Sequence, residues 1–321
     1  MLALPLTGRI ALPAADMLLL PSAGTSFSSH AVTSGRSPTS SGKDTNPGEG
    51  VMAYQTIRYE RGEDIGTLTL ARPEKRNAQN PLMWQELAEL GTGLLADQTL
   101  RCLVVTGDGP SFSAGIDLFE GLAGLISDLA GRASDPDQET LELGLSVAGT
   151  FSWIPRLGCP SVAALRGHAY GAGLQLALAC DFRIFSHNAA VGLVETRYGI
   201  LPDMGATVRL PRIVGESRAR ELILLGEVID AAEALRIGLA NRVVDDADLE
   251  PAAAELAARL AAQPPLAIRG ARRAIDAAWH EDPETAFSIA VQEQIRCLAS
   301  DDFRQGLQAM AEGRTPQWQG R

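Results

Sequence analysis

The strongest constraint on the fold is a plan the chain uses twice: a short apolar run, a glycine-bearing turn, and the start of a helix. Residues 101–106, which include Leu103-Val104-Val105, lead into Gly107-Asp108-Gly109-Pro110 and then Ser111-Phe112-Ser113-Ala114-Gly115-Ile116-Asp117-Leu118. Residues 161–165 lead into Gly167-His168-Ala169-Tyr170-Gly171-Ala172-Gly173 and a helix of small residues through Ala179. A strand apolar along its whole length is buried on both faces, as happens where helices cover a parallel sheet. The repetition therefore predicts an α/β core.

The flanking segments agree. Residues 54–60 and 64–70 alternate apolar and polar side chains around Arg61-Gly62-Glu63, which reads as a hairpin. A helix follows from Pro81, with Asn80 as its N-cap and Met83, Trp84, Leu87, Leu90 and Leu94 at helical spacing. Residues 118–129 and 140–154 have helical periodicity and are separated by a polar stretch, residues 132–138, expected to be a mobile loop. Residues 181–186 resume strand character, and helices are expected at 216–225, 231–237, 252–262, 266–278, 283–299 and near 303–312. Strands alternating with helices, followed by a helical tail, give an α/β core with an α-helical C-terminal part.

Residues 1–50 are rich in Ser, Gly, Pro and Thr and show no periodicity. Met52 reads as the natural start, so residues 1–51 are expected to be a disordered or mis-assigned extension, with a targeting peptide as the alternative. The apolar patch at residues 10–20 is broken by Pro13 and Asp16 and lacks a basic segment before it, which argues against a secretory signal or a membrane span. Thirty-nine acidic against 28 basic side chains give a formal charge of −11, which excludes non-specific binding to nucleic acid or anionic membrane. Cys102, Cys159, Cys180 and Cys297 are widely spaced, with no metal-ligand pattern; free thiols in a reducing cytoplasm are expected.

Backbone N–H groups at a helix start have no intrahelical partner and can stabilise an anion. Two such loops side by side offer two donors to one oxygen, the geometry of an oxyanion hole; tight strand–helix packing with no ligand is the other reading of the same glycines. Dinucleotide, Walker and serine-nucleophile motifs all fail on residue order, and His168 reads as a hydrogen-bonding residue rather than a base. Glu195 and Asp203 stand among apolar residues and glycine-proline turns, where a carboxylate has a raised pKa and serves as a base toward a weakly acidic C–H. Alternatively, Glu195 pairs with Arg197 or Arg209, and Asp203 caps the next helix.

Taken together, these motifs resemble the enoyl-CoA hydratase/isomerase (crotonase) superfamily. The likeness runs from about Tyr54 to Trp318 and rests on residues 70–78, 113–118 and 160–164, on Gly171-Ala172-Gly173, Ala179-Cys180-Asp181 and Gly199-Ile200-Leu201-Pro202. It implies a crotonase-like spiral of ββα units over residues 52–248 and a C-terminal helical region, residues 249–321, used in forming a homotrimer or a dimer of trimers. It also implies an acyl-CoA substrate, with coenzyme A as part of that substrate and no separate cofactor or metal. The oxyanion-hole donors would be the N–H groups of Ile116 and Ala172, the latter replacing the commoner glycine. Arg76, Ala78, Ala114 and Asp117 would border the CoA moiety, and Tyr170 and Val194 the acyl pocket.

The hydratases use two glutamates on water; here the second matches Glu195 and the first falls at Gln175. A glutamine can orient water but cannot take or give a proton as a carboxylate does. Dienoyl-CoA isomerases resemble this chain at residues 114–118, Glu195 and Asp203, while their additional aspartate also falls at Gln175. The resemblance therefore implies double-bond migration with Glu195 as base, Asp203 as partner acid and Gln175 beside them. Hydration of a trans-2-enoyl-CoA and a non-catalytic acyl-CoA-binding protein are the alternatives.

Overall fold

Alternating side chains make β1 (Ile57–Arg61) and β2 (Ile65–Leu70) an antiparallel hairpin in which Ile57 faces Leu70 and Arg61 faces Gly66. The computed structural model describes residues 54–120 and 138–321, all within a unit spanning Gly50–Arg321. The expected N-terminal extension, most of the helix expected at 118–129 and most of the polar loop at 132–138 lie outside the described residues. Helix α1 (Pro81–Ala96) starts where Asn80 accepts a hydrogen bond from the Met83 N–H at 3.0 Å, and its apolar stripe is buried.

After β3 (Cys102–Gly107) and α2 (Gln138–Ala148) come two units of the same build. The first is β4 (Ser161–Leu165), β5 (His168–Tyr170) and α3 (Ala172–Ala179). The second is β6 (Phe182–Ser186), β7 (Ala190–Gly192) and α4 (Ala206–Val214). The leading strand of each unit enters a six-stranded sheet of order β1-β2-β3-β4-β6 closed by β9 (Arg242–Val244), and the second enters a three-stranded sheet of β5 and β7 followed by β8 (Val228–Asp230). Because β4 pairs parallel with β6 and β5 with β7, each unit advances beside the last, which makes the chain a spiral. The remainder is α5 (Glu216–Leu225), β8 (Val228–Asp230), α6 (Ala231–Arg236), β9 (Arg242–Val244), α7 (Leu249–Ala261), α8 (Pro265–His280), α9 (Pro283–Ala299) and α10 (Asp301–Glu312).

The period of two along a strand sends alternate residues into two cores. Leu103, Val105, Ala163, Leu165 and Phe185 join the main core with α1 and α3, whereas Cys102, Val104, Val162, Ala164 and Ile184 pack beneath Leu249, Ala252, Ala253 and Ala257 of α7. This double burial is what the continuous apolar strands anticipate. All four cysteines are free; burial pushes the Cys159 and Cys180 thiols up to about 12, so both stay protonated at neutral pH.

Candidate active site

Two glycine loops meet at the ends of β3 and β5. Ser113 bridges to Ala169 and Ile116 to Gln79, each through a parallel bridge. Gln79 N–H donates to Gly115 O at 2.7 Å and Asp117 N–H to Gln79 O at 2.8 Å, so Ile116 turns its own N–H to the other side. Gly115 (φ +95°) passes so near the second loop that a Cβ there would lie 2.8 Å from Tyr170 O and 3.7 Å from Ala172 N. A Cβ on Gly173 would fall 2.6 Å from Ser113 O. These glycines permit tight packing, and that packing brings the two loops carrying the Ile116 and Ala172 amides together. Neither N–H has an acceptor among the described residues, and Ala172 is the first residue of α3, where a free N–H is expected.

The glutamate lies behind the second loop. Glu195 opens a single 3₁₀ turn, Glu195–Tyr198, just after β7, and is 6% exposed. Its Oε1 accepts from Gln175 Nε2 at 2.8 Å, while its Oε2 is buried with no partner among the described residues. Gln175, on a helix buried at every position, also accepts from the Ala206 N–H at 3.2 Å. Burial raises the Glu195 pKa; its own backbone amide and the Gln175 N–H pull it down, and the charge of Asp203 pushes it up further. Asp203 sits between buried Pro202 and Met204 with its own side chain reached by solvent, and partial burial raises its pKa as well.

The arginine partners considered for Glu195 are thus replaced by Gln175. Asp203 caps nothing: Gly205 occupies the cap position of α4, and no side chain caps that helix.

The first loop collects the remaining residues. Ala114 N–H donates to Arg76 O at 2.8 Å, and Arg72 reaches both Ala78 O at 2.6 Å and the Asp117 carboxylate at 3.3 Å. Arg76, Ala78, Ala114 and Asp117 are therefore neighbours around Arg72, with the Arg76 side chain exposed. Asp117 faces inward: burial alone would raise its pKa, but hydrogen bonds from the Glu120 and Phe119 N–H groups and the Arg72 guanidinium hold it low. Tyr170 lies half-buried beside Gly115, and Val194 immediately precedes Glu195. His168 shares a hydrogen bond with Ser111 Oγ at 3.0 Å through Nδ1 and meets the Tyr170 ring edge-on.

Sequence reasoning missed two supports of the first loop. Asn77, fully buried at φ +54°, accepts from Arg72 N–H and donates to Asp108 O and Ser111 O. Ser113 Oγ donates to Asn77 O at 2.8 Å. The signal available was the non-repetitive run Arg76-Asn77-Ala78 between a strand and a helix, where asparagine tolerates the left-handed region.

Residues 60–321 match the family model described as Enoyl-CoA hydratase/isomerase. The chain belongs to this family. It is an enzyme of the crotonase superfamily, with that superfamily's mixed α/β fold and helical C-terminal region. It is 35% identical over 264 residues to the crotonyl-CoA hydratase of Syntrophomonas wolfei, covering 82% of this chain and 97% of that one. It is 34% identical over 275 residues to the 1,2-epoxyphenylacetyl-CoA isomerase of Escherichia coli, covering 84% and 100%. A Thermobifida fusca protein solved in complex with acetoacetyl-CoA superposes with a TM-score of 0.69 at 37% identity, over 76% of this chain and 95% of that one. Similar crotonase-family enzymes thus include both a hydratase and an isomerase.

Proposed function

We propose that this enzyme moves a double bond within an enoyl- or dienoyl-CoA, with Glu195 as the base and Asp203 as the partner acid. The observation that carries the reading is the content of the buried site behind the two glycine loops: a carboxylate with one oxygen unpartnered among the described residues, and an amide in the second position, where the resemblance implies a second acid. An amide neither accepts nor delivers a proton at neutral pH, so a reaction that only relocates a proton suits this pair better than one that must split water.

The chemistry then runs as follows. The thioester oxygen accepts hydrogen bonds from Ile116 and Ala172, which stabilise negative charge more in the enolate than in the ester. Glu195 Oε2 takes a proton from C2 of a 3-enoyl ester, and the C–H electron pair moves into a dienolate whose charge rests on the thioester oxygen. When a proton is returned to C4, by Glu195 or by Asp203, the 3,4 π pair forms the new C4–H bond, the enolate pair becomes the C2–C3 double bond and the thioester carbonyl is restored, which leaves the 2-enoyl isomer with no net change in atoms or electrons. Arg76, Ala78, Ala114 and Asp117 border the CoA moiety in this reading, Tyr170 and Val194 the acyl chain; no cofactor beyond the CoA ester takes part, and the enzyme works in the cytoplasm as a homotrimer or a dimer of trimers.

The T. fusca relative bound to acetoacetyl-CoA supports an acyl-CoA ligand. Purified enzyme is to be incubated with trans-2-enoyl-CoA, trans-3-enoyl-CoA and 3,5-dienoyl-CoA, with products read by mass and ultraviolet absorbance. Migration without gain of mass is expected. Addition of water to the 2-enoyl ester with no migration from any substrate would overturn the proposal, and binding of CoA esters with no conversion would leave a binding protein.

A further inference from the structure

We infer that Gln175 is a positioning residue: its amide bridges Glu195 to the backbone at the start of α4 and so fixes Oε2 as the oxygen that meets substrate. The inference rests on the reading of Glu195 as the base and adds the device that aims it. The two partners of the amide leave it one orientation. Ala206 N–H can only donate, so it takes the Gln175 oxygen at 3.2 Å; an ionised carboxylate can only accept, so it takes the Gln175 N–H at 2.8 Å. Gln175 is 1% exposed on a helix whose other residues are all buried, and solvent offers the amide no alternative.

Gly171, at φ +51°, keeps the space beside the carboxylate clear: a Cβ there would lie 3.3 Å from Oε1 and 3.9 Å from Oε2. With Oε1 taken by the Gln175 N–H, Oε2 is left buried and without a partner among the described residues, the state of a proton acceptor waiting for its C–H. The bridge joins residues 20 and 31 positions apart, from α3 to the turn after β7 and on to α4, so the aim of the base follows the packing of three separate elements.

A side chain that only filled space would leave the titration of Glu195 untouched, whereas one that donates to its ionised form must change it. The test compares Gln175→Leu, which removes both hydrogen bonds, with Gln175→Glu, which keeps the size and the acceptor for Ala206 but replaces the N–H with a like charge. Two readouts are taken on folded full-length protein: kcat, KM and the acid limb of kcat/KM, and the carboxyl ¹³C titration of Glu195, assigned by its loss in Glu195→Gln. In Gln175→Leu the acid limb and the ¹³C midpoint should both rise by about one pH unit or more, with kcat reduced roughly tenfold and KM held within about twofold. In Gln175→Glu the rise should be larger. A Glu195 midpoint that stays in place in both folded variants overturns the inference.

The ¹³C titration needs no turnover, which separates the two failures. If no bond migrates but the midpoint moves, the isomerase reading falls and the positioning role stands. If migration occurs and the midpoint stays, the reverse holds.

Discussion

At the scale of single residues, the site places a buried carboxylate where its charge is useful but costly. Glu195 must be ionised to accept a proton, and its pKa lies above the ordinary glutamate value of 4.5 because burial disfavours the charge. Turnover should therefore fall as pH drops through that raised pKa, with an acid limb above the range of an exposed glutamate, read as log kcat/KM against pH. Glu195→Gln should lose about 10²- to 10⁴-fold in kcat while binding CoA esters normally. Stability should move the other way. A carboxyl whose pKa is raised by folding contributes its stability below the unfolded pKa and loses it as pH rises through the folded pKa. Glu195→Gln removes that loss, so it should melt above the unmutated enzyme at pH 7 and show no such gain in acid; equal melting temperatures at pH 7 would contradict this account. The glycine loops and the two carboxylates were legible in the sequence as local signals, while the choice of Ile116 and Ala172 as donors came from the family resemblance. The bridge through Gln175 was not legible, since its partners lie 20 and 31 residues away and only the packed spiral joins them.

At the scale of elements, the connection from β2 to α1 carries a single 3₁₀ turn, Pro73–Lys75, and a buried asparagine holds the rest. Asn77 accepts from Arg72 N–H at 2.9 Å and donates to Asp108 O at 2.9 Å and Ser111 O at 2.8 Å, tying this connection to the exit of β3. Each buried group left without a partner costs about 1–3 kcal/mol, and a left-handed conformation costs a further ~1 kcal/mol in any residue with a Cβ that lacks asparagine's local hydrogen bonds. Asn77→Ala should thus lose roughly 3 kcal/mol of stability, and Asn77→Gly about 1 kcal/mol less than that, because glycine adopts φ +54° freely. Urea unfolding at constant m-value would measure both, and an alanine variant no weaker than the glycine variant would refute the conformational part. Elements with local instructions were readable: the hairpin from alternation, α1 from Asn80 and Pro81, and the inner strands from unbroken apolar runs. Strands β5, β7, β8 and β9 are three residues each, too short for a period, and only their partner strands specify them. Helix α4 was anticipated only as the element Asp203 would cap, with no bounds, because it begins after an uncapped glycine and carries Pro211 inside it.

At the scale of the whole molecule, the C-terminal helices expose what a stable protomer would hide. Helix α9 is 17 residues long with none buried, although it packs along α8. Its exposed large apolar residues are Phe287 (71%), Val291 (42%), Ile295 (59%) and Leu298 (47%), spaced four, four and three apart, so they form one stripe on one face. Ile275 and Trp279 of α8 are exposed as well. A stripe of this kind suits an association surface, and the proposed trimer would cover it with further copies of the same chain. The first helix of the same region behaves differently: α7 buries Leu249, Ala252, Ala253 and Ala257 against the large sheet and so is committed within the protomer. Sedimentation equilibrium should accordingly give three times the 34.0 kDa protomer mass, or six times if trimers pair. Phe287→Glu combined with Ile295→Glu should shift the enzyme toward the protomer, because each charge would have to be desolvated at the contact. The same pair of changes leaves the α9 backbone hydrogen bonds in place, so far-UV circular dichroism should keep its helical amplitude. An unmutated chain that sediments as a 34.0 kDa protomer at micromolar concentration would show that the stripe serves some other partner.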